Sequence, residues 1–292
     1  MYIGVQGRLT RPQPLDYGTV QGLIAALCGR YTCLRRAVIG RSVLGRDIPA
    51  VILSAQAPQE RVLMVSSVGA QEWLTALCAL RLCEEMGAHL RADLALCEVS
   101  LSRALRGRQI WFVPLANPDG VEIARYGSIA AGAYAATAAQ VGADTPGRWR
   151  GNARGVDLSS NFNAGRAEMQ AFPQKNGENP AIQPETAALC DLCDRVSFRH
   201  AVVVGCGGGI GWQAGEDSPP RGCMMAQVLS AVSGLPVGRR IGGGEFAAWF
   251  IRTYHRAALT VGIGTGTLPL PVREFETMYA ALRETLLLSL LF

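Results

Sequence analysis

The sequence predicts an α/β fold: a mostly parallel sheet with helices packed on both faces. Three observations carry this. Short apolar runs without polar alternation, such as Val62-Leu63-Met64-Val65, Gln109–Leu115 and Ala201–Val204, recur along the chain, as strands covered on both sides should. Segments of helical period separate them, and strand–helix alternation favours a parallel sheet. Glycines cluster just after several of these strands, where ligands sit in open α/β sheets. With 292 residues, 49% of them hydrophobic, the chain can bury a large core, and residues 1–292 read as one domain.

In chain order, Asp16 to Tyr31 forms a helix with Val20, Leu23, Ile24 and Leu27 on one face. Ala37 to Ser54 holds two apolar segments around a Gly-Arg-Asp turn, a hairpin signal. The stretch Arg61–Trp73, RVLMVSSVGAQEW, reads as a buried strand, a loop and a helix start, with the helical pattern continuing through Leu82. Glu72 therefore lies where a site is expected. Residues 87 to 107 are a helical or irregular connection. The strand Gln109–Leu115 ends at Asn117-Pro118-Asp119-Gly120, strong turn chemistry. Ser128 to Thr145 carries weak structure, and Arg148 to Ala164 mixes polar and charged residues without a period, as a site-lining loop does.

A helix from Pro184 to Val196 precedes the strand Ala201–Val204, which runs into the glycines of GCGGGIG. A helix over Cys223–Ser233, a second glycine cluster at 242–244 and the aromatic segment FAAWFIRTY follow. The last strand, Ala258–Ile263, ends at Gly264-Thr265-Gly266-Thr267, before a terminal helix from Val272.

Composition excludes several classes. The net charge of +5 is spread over single arginines and forms no basic run, so no nucleic-acid partner is expected. No window reaches the roughly 18 charge-free apolar residues of a membrane span, and no secretory signal is evident. A cytoplasmic protein without a membrane partner is the expectation. Nine cysteines form an odd, sparse set, better read as reduced core thiols than as disulfides. Cys190 and Cys193 make a CxxC, but no second pair completes a zinc site. The glycines of GCGGGIG match GxGxxG spacing, with no partner acid to support a phosphate loop.

Several segments together resemble one family. GRSVLGRDI is similar to the glycine-serine-glycine-arginine hairpin of zinc carboxypeptidases of the carboxypeptidase A type. PLANPDGVEIARYG resembles their Asn-Pro-Asp-Gly segment, RWRGNARGVDLSSNF their Asn-Ala-Arg-Gly-Val-Asp-Leu-Asn-Arg-Asn-Phe segment, and TVGIGTGTLPLP their Thr-Val-Glu-Ile-Gly-Thr-Gly strand end. RWRGNARGVDL and GGGEFAAWFIRTYHRAALTV look most like the bacterial branch that cleaves γ-D-glutamyl-diaminopimelate bonds in cell-wall peptides. The resemblance implies a three-layer sandwich around a mixed, mostly parallel eight-stranded sheet.

It also implies a site, from which this chain departs. The family binds zinc through a His-x-x-Glu pair and a second histidine. Glu72 matches the glutamate, whereas Gly69 and Gly205 stand at the histidine positions. Gly262 stands at the general-base glutamate, and Ser159 and Ser160 replace the asparagine and arginine that grip a terminal carboxylate. Zinc hydrolysis needs a metal to polarise the carbonyl and acidify water, and a base to move its proton. Glycine supplies neither. The three histidines, His89, His200 and His255, fall away from the site. Arg150, matching the family's oxyanion arginine, or Arg154 is the expected partner of Glu72. Cys206, beside Gly205, is the thiol nearest the site, with no suitable base.

The resulting expectation is a pseudoenzyme that keeps the fold and a cleft for a peptide or cell-wall-derived small ligand, formed by Glu72, Arg150, Arg154, Ser159, Ser160 and Cys206, with no cofactor. The alternative is an active metallopeptidase or cell-wall peptide hydrolase that binds zinc through non-standard ligands.

Overall fold

The computed structural model describes residues 7–54, 58–162, 183–212, 219–240 and 244–292. Helix α1 (Tyr17–Arg30) starts at Asp16, whose carboxylate accepts the Thr19 amide at 2.7 Å, satisfying one of the free N–H groups of the first turn. The hairpin of β1 (Leu34–Arg41) and β2 (Asp47–Ser54) follows, then β3 (Glu60–Ser66) and α2 (Trp73–Ala92). A small ribbon of β4 (Ala95–Leu96) and β5 (Val99–Ser100) and the single turn α3 (Leu101–Ala104) lead to β6 (Arg108–Val113) and α4 (Pro118–Tyr126). After a 3-10 helix at Ser128–Tyr134 comes α5 (Ala135–Gln140). The rest of the chain gives α6 (Pro184–Arg195), β7 (His200–Cys206), β8 (Gly209–Trp212), α7 (Pro220–Ser233), β9 (Val237–Arg240), α8 (Phe246–Tyr254), β10 (Ala258–Ile263) and α9 (Phe275–Leu291).

The main sheet has eight strands in the order β1-β2-β6-β3-β7-β10-β8-β9. Its centre, β6-β3-β7-β10, is parallel. The β1-β2-β6 side and the β10-β8 pair are antiparallel, so the sheet is mixed. Strand β3 explains the unbroken apolar run of the sequence. Val62 and Met64 face a core shared with α1, α2, α7 and α9, while Leu63 and Val65 face a second core under α6 and α8. Side chains alternate between faces, and both faces are covered. This is the three-layer α/β sandwich expected from the sequence, and no helix among the described residues is long and apolar enough to cross a membrane.

Several elements differ from the sequence reading. Helix α2 runs ten residues past Leu82, because its buried charged positions, Arg81, Glu84 and Glu85, are paired. Arg81, fully buried, bonds the Thr10 carbonyl and Glu276, and Glu84 accepts the Leu9 and Thr10 amides. Asn117-Pro118-Asp119-Gly120 opens helix α4 instead of closing a turn: Asn117 caps the Gly120 amide at 2.9 Å and Pro118 takes the first helical position, where its missing N–H is no loss. The end of GCGGGIG is strand β8, antiparallel to β10. Ser128 to Thr145 contains two short helices. Of the glycine cluster 242–244, only Gly244 falls within the described residues.

Candidate functional site

The site lies where β3, β6, β7 and β10 end. After β3 the chain turns through Ser67, a non-glycine residue at φ 50°. Thr75 holds the turn, its hydroxyl accepting the Ser67 amide at 2.8 Å, while the Ser67 hydroxyl donates to the Glu72 carbonyl at 3.0 Å. The end of β6 is tied in through the Ala116 and Asn117 amides, which donate to the Ser66 and Ser67 carbonyls. The Ala70 amide donates to the Arg150 carbonyl at 3.2 Å. Glu72 is thereby fixed at the head of α2, facing the end of β7.

The positions picked out from sequence do converge. Glu72 Oε2 accepts the Gly69 amide at 3.2 Å, and Oε1 accepts the Cys206 amide at 3.0 Å. A Cβ placed on Gly69 would lie 3.2 Å from the Glu72 carboxylate, and one on Gly205 would lie 3.6 Å from Oε1. Gly69, Glu72 and Gly205 thus surround one point.

Gly262 is different. It pairs with Gly209 across the β10–β8 ladder, and a Cβ there would lie 3.0 Å from the Gly208 nitrogen and 3.1 Å from the Gly209 oxygen. Main chain fills the space a side chain would need.

The remaining predicted residues are not drawn together. Arg150 and Arg154 are exposed, and among the described residues no ion pair joins either to Glu72. Arg154 turns to Tyr134, donating to its hydroxyl at 3.2 Å with the guanidinium over the ring. Ser159 and Ser160 are exposed and bond locally, Ser159 to the Asp157 carboxylate at 2.6 Å and Ser160 to the Asp157 carbonyl at 3.2 Å. Cys206 is partly buried, and burial first, then the Glu72 charge, pushes its thiol well up. It is a poor nucleophile at neutral pH.

The histidines stand elsewhere. His200 opens β7, at the far end from Gly205; its Nε2 lies 2.9 Å from the Ser289 carbonyl, and burial lowers its pKa to about 4. His89 Nδ1 lies 2.8 Å from the Ala95 carbonyl oxygen, and His255 ends α8 in the left-handed conformation.

Sequence reasoning missed the residues that hold the site's loops. Asp119 is fully buried and accepts the Ser42 hydroxyl and the Leu44 amide at 2.8 Å and Arg46 at 2.6 Å, locking the β1–β2 hairpin to α4. Asn152 donates to Gln183 and Glu185 and accepts the Arg154 and Val156 amides. Glu185, also buried, accepts the Val43 amide, and burial raises its pKa. Asn and Asp among turn residues were the available signal, here serving a tertiary network as well as a turn.

A catalytic zinc takes three protein lone pairs directed at one point. Here one carboxylate stands between two glycines, and the main-chain groups directed at its oxygens are N–H donors. Among the described residues no three His, Cys, Asp or Glu side chains are grouped to hold a metal. These residues do not fit a zinc ion.

The profile of the zinc carboxypeptidase family matches residues 23–205. A γ-D-glutamyl-L-diamino acid endopeptidase of Lysinibacillus sphaericus is 28% identical over 278 residues, covering 91% of this chain and 70% of that protein. Among solved structures, the fold resembles bovine thrombin-activatable fibrinolysis inhibitor, with TM-score 0.72, 12% identity and coverage of 96% of each chain. It also resembles carboxypeptidase A of Helicoverpa armigera, with TM-score 0.68, 15% identity and coverage of 97% of this chain and 75% of that one. By the profile match, with the fold in agreement, the chain belongs to the zinc carboxypeptidase family.

Proposed function

We propose that the chain is a non-hydrolytic member of the family that keeps a cleft for a peptide or cell-wall-derived small ligand and works without zinc or another cofactor. The observation that carries this reading is the capping of Glu72 by the Gly69 and Cys206 amides, with glycine at both positions facing it. Both amides make charge-assisted hydrogen bonds to the carboxylate, and glycine at the two facing positions leaves no imidazole beside it. Main chain packed against Gly262 supports the same reading, since a general base has no room there. The substrate of the L. sphaericus relative suggests the ligand class, a γ-D-glutamyl-diamino acid peptide. Cysteines buried or half-buried in the core, such as Cys78, Cys83 and Cys193, without a disulfide between them, fit a reducing compartment such as the cytoplasm.

The test combines metal analysis with calorimetric titration and turnover of a γ-D-glutamyl-diaminopimelate peptide. The expected result is substoichiometric zinc and saturable binding without cleavage. Stoichiometric zinc with hydrolysis that disappears in Glu72→Ala would overturn the pseudoenzyme reading and establish non-standard ligands. Absence of binding would remove the cleft ligand.

A further inference from the structure

At the end of the sheet opposite Glu72, the four parallel strands begin side by side, and each brings an arginine. Arg108 opens β6, Arg61 is the second residue of β3, Arg199 immediately precedes β7, and Arg256 stands two residues before β10. Neighbouring strands lie about 4.8 Å apart. The ladder pairs Glu60 with Arg108 and Val62 with His200, so these residues form one row along the sheet edge. Gln59, Glu60, Arg61, Ser197, Arg199 and Arg256 line a cavity of about 400 Å³ there. Arg221 approaches from α7, close enough to Arg199 and His200 to lower the pKa of both, in each case after the larger effect of burial.

The charges in this row do not balance. Glu60 is shared between Arg108, at 3.2 Å, and Arg199. Arg61, Arg221 and Arg256 enter no ion pair among the described residues. Arg256 is held in place by the Ser197 hydroxyl at 2.7 Å and the Phe198 carbonyl at 2.6 Å, neither of which neutralises it. Behind the lining residues, Arg108 Nε and Arg221 Nη1 are buried without an acceptor, although Arg108 also donates to Glu60 and to the Leu291 carbonyl. Buried donors left without acceptors are costly, and five guanidinium groups beside one carboxylate leave a strong positive field.

We propose that this arginine-lined cavity binds a dianion of the phosphate class, held by Arg61, Arg199 and Arg256 with Arg221 behind them. Guanidinium forks match phosphate oxygens in geometry and charge. The hollow is open to solvent and about 400 Å³ in volume, so it admits a phosphate monoester with a small organic part as well as inorganic phosphate. The site stands apart from the Glu72 cleft and does not depend on the function proposed for it.

The experiment is calorimetric titration of the full chain with inorganic phosphate and with glycerol phosphate, at constant ionic strength because screening weakens such contacts. Saturable binding of at least one of them is expected, and tighter binding of the monoester would identify the organic source. Arg61→Gln, at a side chain outside every ion pair described here, should weaken binding by roughly tenfold or more, the worth of one charge-assisted bond. Glu60→Gln removes the competing carboxylate and should tighten it, a change that partial unfolding would not produce. No saturable binding, or binding unchanged in both variants, overturns the proposal.

Discussion

Gly69, Gly205 and Gly262, the three glycines where the resemblance would place site residues, are sterically unequal, and alanine substitution makes the difference measurable. At Gly262 a Cβ would meet only main chain, at 3.0, 3.1 and 3.2 Å from atoms of Gly208 and Gly209. Both residues lie on the strand paired with β10 or beside it, so relief requires shifting the β10–β8 ladder. Overpacking of this kind costs about 1–3 kcal/mol. At Gly205 the nearest atoms are 3.6 and 3.7 Å away, an ordinary contact, and loss of unfolded-state freedom adds about 0.4–1 kcal/mol of stability. Gly69 falls between them, because the atoms at 3.2 Å belong to the movable side chain of Glu72.

The expected order of stability is therefore Gly205→Ala, then Gly69→Ala, then Gly262→Ala. The outer two should differ by about 1.5–4 kcal/mol, or roughly 3–10 °C in Tm for a chain of this size. Thermal unfolding followed by circular dichroism, with reversibility checked, reads this directly. If Gly262→Ala melts with the wild type, or Gly205→Ala melts below Gly262→Ala, the claim that main chain fills the space at Gly262 is wrong.

Four further outcomes follow from the same geometry. The double variant Gly69→His, Gly205→His should gain zinc affinity measurable by titration, since both new side chains start from positions facing Glu72, yet should not hydrolyse peptide while Gly262 remains. Asp119→Ala, which strips a fully buried carboxylate from Ser42, Leu44 and Arg46, should cost roughly 3–5 kcal/mol in urea unfolding. His200 is neutral in the fold, with a pKa near 4 against 6.5 when unfolded; its contribution is complete above about pH 6.5 and falls by roughly 3 kcal/mol as pH drops through 4, a loss that His200→Gln should remove from the acid limb of a stability profile. Glu72→Gln should lower the pKa of Cys206, because the Glu72 charge is one of the causes that raise it, and so speed its alkylation at pH 8 as measured by mass spectrometry.

Much of the fold was legible because its signals are local. Unbroken apolar runs, turn signals and a 3.6-residue period placed α1, the β1–β2 hairpin, β3, β7 and β10 close to where they lie. Elements decided by tertiary contacts were harder. Strand β8, Gly209–Trp212, has glycine at two of four positions and owes its existence to the β10 edge beside it. The second half of α2 looks too charged for a core helix until Thr10, Glu276 and Tyr279 are brought to Arg81 and Glu85. In the site, the glycines at 69, 205 and 262 were readable as substitutions, but their different surroundings were not. The expected pairing of Glu72 with Arg150 or Arg154 does not form: both arginines are exposed and Arg154 turns to Tyr134, while the half-buried Glu72 carboxylate accepts the Gly69 and Cys206 amides, main-chain contacts that no side-chain pattern records.

The division between what the chain keeps and what it lacks follows the same line. Asn117, Asp119 and Asn152, in the segments that resemble the family, bond to main chain or to the β1–β2 hairpin and would do so with or without a metal. The glycines at 69, 205 and 262 leave the scaffold standing: the Gly69 and Cys206 amides hold the Glu72 carboxylate and a strand covers Gly262. Family resemblance here tracks the residues that hold loops in place.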